Sequence, residues 1–370
     1  MRYRGLRSTT FGAIVVSIAA LAPMPAAAQT SAPAQTKKAG AAWAAPRAPD
    51  GHPDLQGVWD FATLTPLERP RSLADKTVLT EQEAVAYERR LKEANDKDRR
   101  DAPPGAVTDV GRAYNEFWWD RGNGLSDDRR TSLVTDPPDG KIPALTSEAR
   151  KRAAARASAI GRIADASGGP VDPETAIDGT RGGVDGRGGR GDNPEDRGLS
   201  ERCIIGFNSG PPMIPSAYNN NFQIVQGSNY VVIVNEMVHS ARVVPMDGRP
   251  HAPSTIRLLV GDSRGRWDGA TLVVETTNFT DKTSFRGTSE NLRLIERFTR
   301  VGPDRLNYEF TIDDPASYAR SWTAMVPTRR NSERIYEYAC QEGNYGLEGQ
   351  LSSSRAEDRV KGAAATKTSK

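Results

Sequence analysis

The sequence predicts a mainly β fold, an antiparallel barrel or sandwich that carries an inserted helical and loop region. Three observations point there. From Cys203 onward, short β-branched and aromatic runs recur between Gly, Pro, Asn and Asp clusters, the spacing of hairpins rather than of parallel βα units. Gly261-Asp-Ser-Arg-Gly-Arg-Trp267 reads as a charged turn that delivers a tryptophan into the β-branched run Thr271 to Phe279. The third is period-two alternation in one hairpin. Leu292, Leu294, Glu296 and Phe298 share a face, and Leu306, Tyr308, Phe310 and Ile312 share the facing one.

The first residues read as an export signal. Arg2, Arg4 and Arg7 form a basic start, and Phe11 to Leu21 is apolar but too short to cross a bilayer. Pro23 and Pro25 close it, and Ala26-Ala27-Ala28 offers a small-residue cleavage site before Gln29, so residues 1–28 are read as a signal peptide. No later segment is long and apolar enough to span, so the mature chain is expected to lack a transmembrane segment and to be periplasmic or extracellular. Residues 29–49, rich in Ala, Pro, Gln and Lys, read as a disordered leader. A single β-rich domain then occupies 50–350, and 351–370 read as a disordered tail.

Order is expected to start at Asp50 and to run into a short strand carrying Trp59. A helical insertion follows over 80–165. Thr80-Glu-Gln-Glu83 is a capping box, and the helix after it runs to about Asp98, on the surface because Val85 and Leu91 are its few apolar residues. Asp101-Ala-Pro-Pro-Gly105 stops it. Tyr114-Asn-Glu-Phe-Trp-Trp119 is the densest aromatic cluster, and Arg121-Gly-Asn-Gly124 follows. Thr131 to Thr135 is a short strand ending in a turn, and Ser147 opens an Ala/Arg-rich helix to about Ala164. Residues 167–197 read as a flexible Gly/Asp/Arg insert. Its Arg181-Gly-Gly and Arg190-Gly-Asp tripeptides are products of that composition. Strands are then expected at Phe222–Gln226, Tyr230–Val234, His239–Met246, Thr271–Phe279, Leu292–Arg300, Leu306–Ile312, Trp322–Val326 and Arg334–Cys340.

Charge and composition exclude some functions. Lys and Arg total 50 against 47 Asp and Glu, so no concentrated basic face is expected and nucleic acid is not the expected partner. The only cysteines, Cys203 and Cys340, pair in an oxidising compartment or remain as two buried thiols. Three histidines, His52, His239 and His251, are too scattered for a His-rich metal site, and neither a metal nor a cofactor is expected. No Gly-x-Ser-x-Gly elbow is present. Glu296, a carboxylate among inward-facing apolar residues, needs a partner or a cavity. It is either a structural residue paired with an Arg of another strand or an acid/base group with His239 as its complement. Arg242, three residues from His239, falls on the opposite sheet face.

Gly57-Val-Trp59 resembles the Gly-x-Trp element of lipocalin-type barrels, in which the Trp packs across the barrel floor. The resemblance implies a late Arg over that Trp, with Arg320 or Arg334 as candidates; the insertion between residues 64 and 220 departs from the lipocalin pattern. Nearly the whole mature chain also resembles a group of exported bacterial proteins of unassigned activity. The shared strings are Asp50-Gly-His-Pro-Asp-Leu-Gln-Gly-Val-Trp59, Ser132-Leu-Val-Thr-Asp-Pro-Pro-Asp-Gly140, Glu201-Arg-Cys-Ile204, Gly261-Asp-Ser-Arg-Gly-Arg-Trp267 and Tyr338-Ala-Cys-Gln-Glu-Gly-Asn-Tyr345.

Two functions are therefore expected, each with a small-molecule ligand or substrate as partner. One is a lipocalin-like protein that holds a small apolar or aromatic ligand against Leu294, Phe298, Tyr308 and Phe310, with the Trp118-Trp119 pair the first place to look for a bound ring. The other is a cofactor-free lyase, isomerase or hydrolase using Glu296 and His239. A structural or envelope-interaction module is a third possibility.

Overall fold

Alternating burial along the strands is what assembles this chain. The structure, a computed structural model, describes residues 43–368 except 97, 99–114, 123, 160–192 and 284. The signal peptide, most of the leader, the stop at 101–105, the end of the second helix and most of the 167–197 insert lie outside the described residues.

Ten strands form one antiparallel sheet. They are β1 (Gly57–Asp60), β2 (Val134–Asp136), β3 (Asn221–Gln226), β4 (Tyr230–Asn235), β5 (Ala241–Pro245), β6 (Asp262–Asp268), β7 (Thr271–Thr277), β8 (Arg293–Gly302), β9 (Arg305–Asp313) and β10 (Trp322–Asn331). Their order is β5-β4-β3-β1-β10-β9-β8-β7-β6, and β2 adds to β10. The predicted hairpin has the expected register, with Glu296 opposite Phe310 and Phe298 opposite Tyr308. Inward positions are filled throughout: Trp59, Phe222, Ile233, Val244, Leu272, Leu294, Phe298, Phe310, Trp322 and Val326 are fully buried.

The sheet curls without being laced shut. Following the antiparallel pairings around it leaves the end strands β5 and β6 running in the same sense, and no ladder joins them. They meet through side chains instead. A β-carbon on Gly265 would collide with Met246 Sδ and lie 2.9 Å from Val244 Cγ1, so glycine there lets the edges touch. A hydrogen-bonded closed barrel is thus not formed; the antiparallel β class is.

From the seam strand β5 the interior's principal polar contact reaches to β8. Arg242 of β5 reaches Glu296 of β8 with both guanidinium nitrogens, one at 2.9 Å. Tyr308 of β9 donates its hydroxyl to the same carboxylate at 2.8 Å and accepts the Met213 N–H at 3.0 Å. Glu296 is 0% exposed. Burial alone would lower the Arg242 pKa, but the Glu296 charge and hydrogen bonds outweigh it and raise it. Burial first, and then the Glu296 charge, pushes the Tyr308 hydroxyl well above its ordinary value, so it stays a donor.

Trp59 is fully buried in the core, its indole N–H on the Leu55 carbonyl at 2.9 Å. Arg300 and Arg330 each place a guanidinium 5.8 Å from its ring centroid. Gly57 (φ 127) lies where a β-carbon would come 3.2 Å from the Arg330 guanidinium, so a side chain would crowd that packing. The two arginines suggested by sequence sit elsewhere: Arg320 pairs with exposed Asp136, and Arg334 is exposed outside any strand.

Among the described residues three α-helices complete the fold: α1 (Glu81–Asn95), α2 (Ser147–Ala159) and α3 (Tyr345–Thr368). The capping box at Thr80 is formed in both directions. Ala84, Tyr87 and Leu91, spaced for one helical face, bury against Leu64, Leu79 and Leu125 as a second small core, while Val85 is exposed. Five expectations are corrected. Order begins before residue 50, since Arg47 bridges Pro53 and Ala48 is buried. Asp262–Asp268 is a strand, not a turn. His239 lies in a 3-10 turn before β5, in left-handed backbone (φ 39). Arg334–Cys340 forms no strand, because no neighbouring edge is offered to it, and residues 351–368 continue a helix where a disordered tail was expected.

Removing one partner of the Arg242–Glu296 pair strands a buried charge. Glu296→Gln is expected to lower the unfolding free energy by about 3–5 kcal/mol in urea titrations. The double variant Arg242→Met/Glu296→Leu is expected to recover more than half of that loss. Equal loss in single and double variants would contradict this account.

Candidate functional site

The residues proposed as an acid/base pair are not brought together. Glu296 is sealed in the core on Arg242 and Tyr308, while His239 is exposed, its own N–H on the Glu236 carbonyl at 3.2 Å. Leu294, Phe298, Tyr308 and Phe310 are all 0% exposed. The three rings pack at tilted angles, Phe298 to Tyr308 at 5.0 Å and Tyr308 to Phe310 at 5.8 Å, and with Leu294 fill the interior where a ligand was expected.

Open space lies instead at the end of β1, beneath the loop that carries the aromatic cluster. Two clefts share Asp120 and Gly122. The larger, of about 530 Å³, is lined by Trp119 with Glu93, Asp96, Asp98, Glu116 and Asp120, and by Lys92 and Arg121. The smaller, of about 330 Å³, is lined by Asp60, Asp120, Ser126, Asp127, Arg305 and Arg329 among others.

Local sequence explains why this loop sits where it does. Gly122 (φ 84) packs on the chain at Ala62 and Thr63, where a β-carbon would fall 2.8 Å from both backbones. The Gly124 carbonyl accepts the Leu64 N–H at 2.9 Å, and α1 holds the same loop through Glu88, which accepts the Leu125 N–H at 2.8 Å. Asp120 is clamped by its backbone: its N–H reaches the Ala217 carbonyl and its carbonyl accepts buried Asn220 Nδ2 at 2.7 Å. Asn220 is fixed in turn by the Ser216 N–H at 2.8 Å and by Asn208. Asp98 accepts the Glu116 N–H at 3.1 Å, which ties the chain after α1 to the aromatic turn.

Of the two predicted tryptophans, Trp118 is 63% exposed and Trp119 is half-buried against the cleft. Arg121 lies 4.2 Å from the Trp119 ring centroid, and Tyr218 meets it edge-on at 6.0 Å. Arg121 is itself buried and pairs with Glu116 at 3.4 Å. One wall of the larger cleft is therefore a ring held rigidly on two sides.

Asp60 carries the clearest electrostatic signal. Its carboxyl is pushed up to about 6 from its ordinary 3.8, chiefly by burial. The Ala62 N–H, at 2.7 Å, opposes the rise; the charges of Asp120 and Glu236 add to it, and Arg329, its cross-strand neighbour, subtracts. Glu236 is held by Asn221 Nδ2 at 2.8 Å, and Asn331 holds Asn221. Asp127 sits between Arg305, at 2.8 Å, and Arg329. A carboxyl titrating near neutrality in an open cleft can take or give a proton under ordinary conditions. Sequence reasoning missed Asp60 and Asp120; Asp60 stands directly after the Gly57-Val-Trp59 string, and only its outward position there marks it.

Among the described residues, no group of three or more His, Cys, Asp and Glu is arranged to hold a metal ion. No described helix is long and apolar enough to cross a membrane. Cys203 and Cys340 form a disulfide, as one reading expected. No family model matches the chain, and neither does any curated protein or solved structure.

Because the folded-state Asp60 carboxyl titrates above its ordinary value, protonation favours folding. That contribution is complete below about pH 4 and is lost as pH rises through about 6. Asp60→Asn is expected to raise stability at pH 8 by roughly 1–2 kcal/mol, after allowance for solvent screening of the half-buried group, and to change nothing at pH 4. Thermal midpoints at the two pH values test this.

Proposed function

We propose that this chain is an exported small-molecule-binding protein of lipocalin-like build, whose ligand sits in the cleft beside Trp119 rather than inside the sheet. The observation that carries the reading is a held indole facing an open volume of about 530 Å³ whose charged lining is mainly carboxylate. Ionised carboxylates only accept hydrogen bonds, so the ligand that fits brings donors, hydroxyl or ammonium, on a flat apolar body that covers the ring. The lipocalin-like build is supported by Gly57-Val-Trp59 with Arg330 and Arg300 over the indole. Export is supported by the basic and apolar start of the sequence and by the disulfide.

A second reading, acid–base catalysis, is favoured by Asp60 alone, at about 6 and beside Asp120 in the neighbouring cleft. It relocates the enzymatic alternative from Glu296 and His239 to the sheet's end. If chromogenic esters or glycosides are turned over, the rate is expected to change around pH 6, and Asp60→Asn is expected to remove that inflection. An inflection retained in Asp60→Asn would exclude this role.

Titration with phenethylamine is expected to quench tryptophan fluorescence saturably, whereas phenylacetate of the same shape is expected to bind at least tenfold more weakly. Trp119→Ala is expected to weaken phenethylamine binding about tenfold, the scale of one partly desolvated cation–π contact. Equal binding of the amine and the acid, or no loss in Trp119→Ala, would overturn the assignment.

A further inference from the structure

The bridge between Cys203 and Cys340 joins positions 137 residues apart and pins an irregular strap, residues 332–344, to the body of the protein. Its two sulfurs sit in different surroundings. Cys203 is 2% exposed, whereas Cys340 is half-buried. Cys203 also holds a left-handed backbone conformation (φ 57), which is strained for a residue with a β-carbon. Asn344 Nδ2 lies 3.4 Å from Cys203 Sγ, a donor aimed at the buried sulfur.

Few other contacts fasten the strap there. Gln341 donates to the Cys203 carbonyl at 3.3 Å and Asn344 to the Glu201 carbonyl at 2.9 Å. Two residues before Cys340, the Tyr338 ring packs on Tyr218 at 6.3 Å, and Tyr218 in turn supports Trp119. The clasp, the strap and the cleft wall thus form one contiguous series of contacts.

We propose that Cys203–Cys340 is a thiol–disulfide exchange site, opened by a dithiol reductant that attacks Cys340, and that opening it loosens the Tyr338–Tyr218–Trp119 wall. The regulatory half of this proposal rests on the ligand-binding reading of the cleft; the exchange itself does not. A reductant thiolate attacks Cys340 Sγ, the sulfur of the less buried cysteine. The S–S bond breaks, and its electron pair leaves on Cys203 Sγ, where the Asn344 amide stabilises the thiolate. The reductant's second thiol then attacks the mixed disulfide and releases Cys340. Two electrons and two protons pass to the protein, and the dithiol becomes its own disulfide.

The test uses the full-length mature chain in native buffer with dithiothreitol, followed by thiol alkylation and mass spectrometry. Both cysteines are expected to become alkylated within minutes, with the β-sheet circular dichroism retained. New proteolytic cleavage is expected within 332–344, and acrylamide quenching of tryptophan is expected to rise about twofold, a rise absent in Trp119→Phe. Asn344→Leu is expected to slow reduction about tenfold. Reduction that needs denaturant, or that melts the sheet, would make the bridge a purely structural one and overturn the proposal. So would reduction that leaves strap cleavage and Trp119 quenching unchanged. None of these readouts uses a ligand, so a cleft that binds no amine would leave them intact and count only against the preceding reading.

Discussion

The curl of the sheet is organised around one buried ion pair. An antiparallel sheet of this order brings β5 and β6 together in the same sense, and no backbone ladder joins them. Arg242 and Glu296 bind across the interior instead, linking the strand at one lip of the seam to β8. Desolvating two charges costs several kcal/mol per ion before their attraction is counted, so the pair is tolerable only because its geometry is bidentate and a third donor, Tyr308, meets the carboxylate. What the pair contributes is registration: of the strands that flank the seam, β5 alone carries an inward cation, and one inward carboxylate faces it. We regard its role as specifying how the sheet curls rather than adding net stability.

That assignment changes where function is sought. A carboxylate in a greasy interior invites a catalytic reading, yet Arg242 and Tyr308 occupy it and leave it out of reach of solvent. The aromatic residues around it are the core's filling. Chemistry is displaced to the end of the sheet, where β1 finishes and a loop clamped by Asn220 and Gly122 leaves carboxylates facing solvent. The division is physical: side chains between strands are needed for packing, and the loops at strand ends are free to vary.

Much of the β architecture was legible in the sequence because alternation is a strong signal wherever inward residues are large. Leu294, Phe298, Tyr308 and Phe310 announced their own face. Strand β6 was hidden because its inward positions are Ser263 and Gly265, chosen for a close edge contact rather than for bulk, and its outward ones are charged. The run Arg334–Cys340 misled in the opposite way: Ile335, Tyr336 and Tyr338 suggest a strand, but a strand requires a neighbour. The capping box marked the start of α1 reliably, being a purely local interaction. The clefts had no linear signature, since Asp60, Asp120, Glu236 and Arg329 come together only after the strands are placed.

The position of β1 has a consequence for how the molecule comes to be. Val58 sits opposite both Gln223 and Asn331, so the ribbon bearing Trp59 is wedged between neighbours synthesised long after it. The meander from β6 to β10 can zip up through nearest neighbours in sequence, whereas β1 has to wait for the far end of the chain. Until then a large indole stands uncovered in a half-made protein. Escort during maturation therefore matters most for the earliest ordered segment of the polypeptide, not for its elaborate later half.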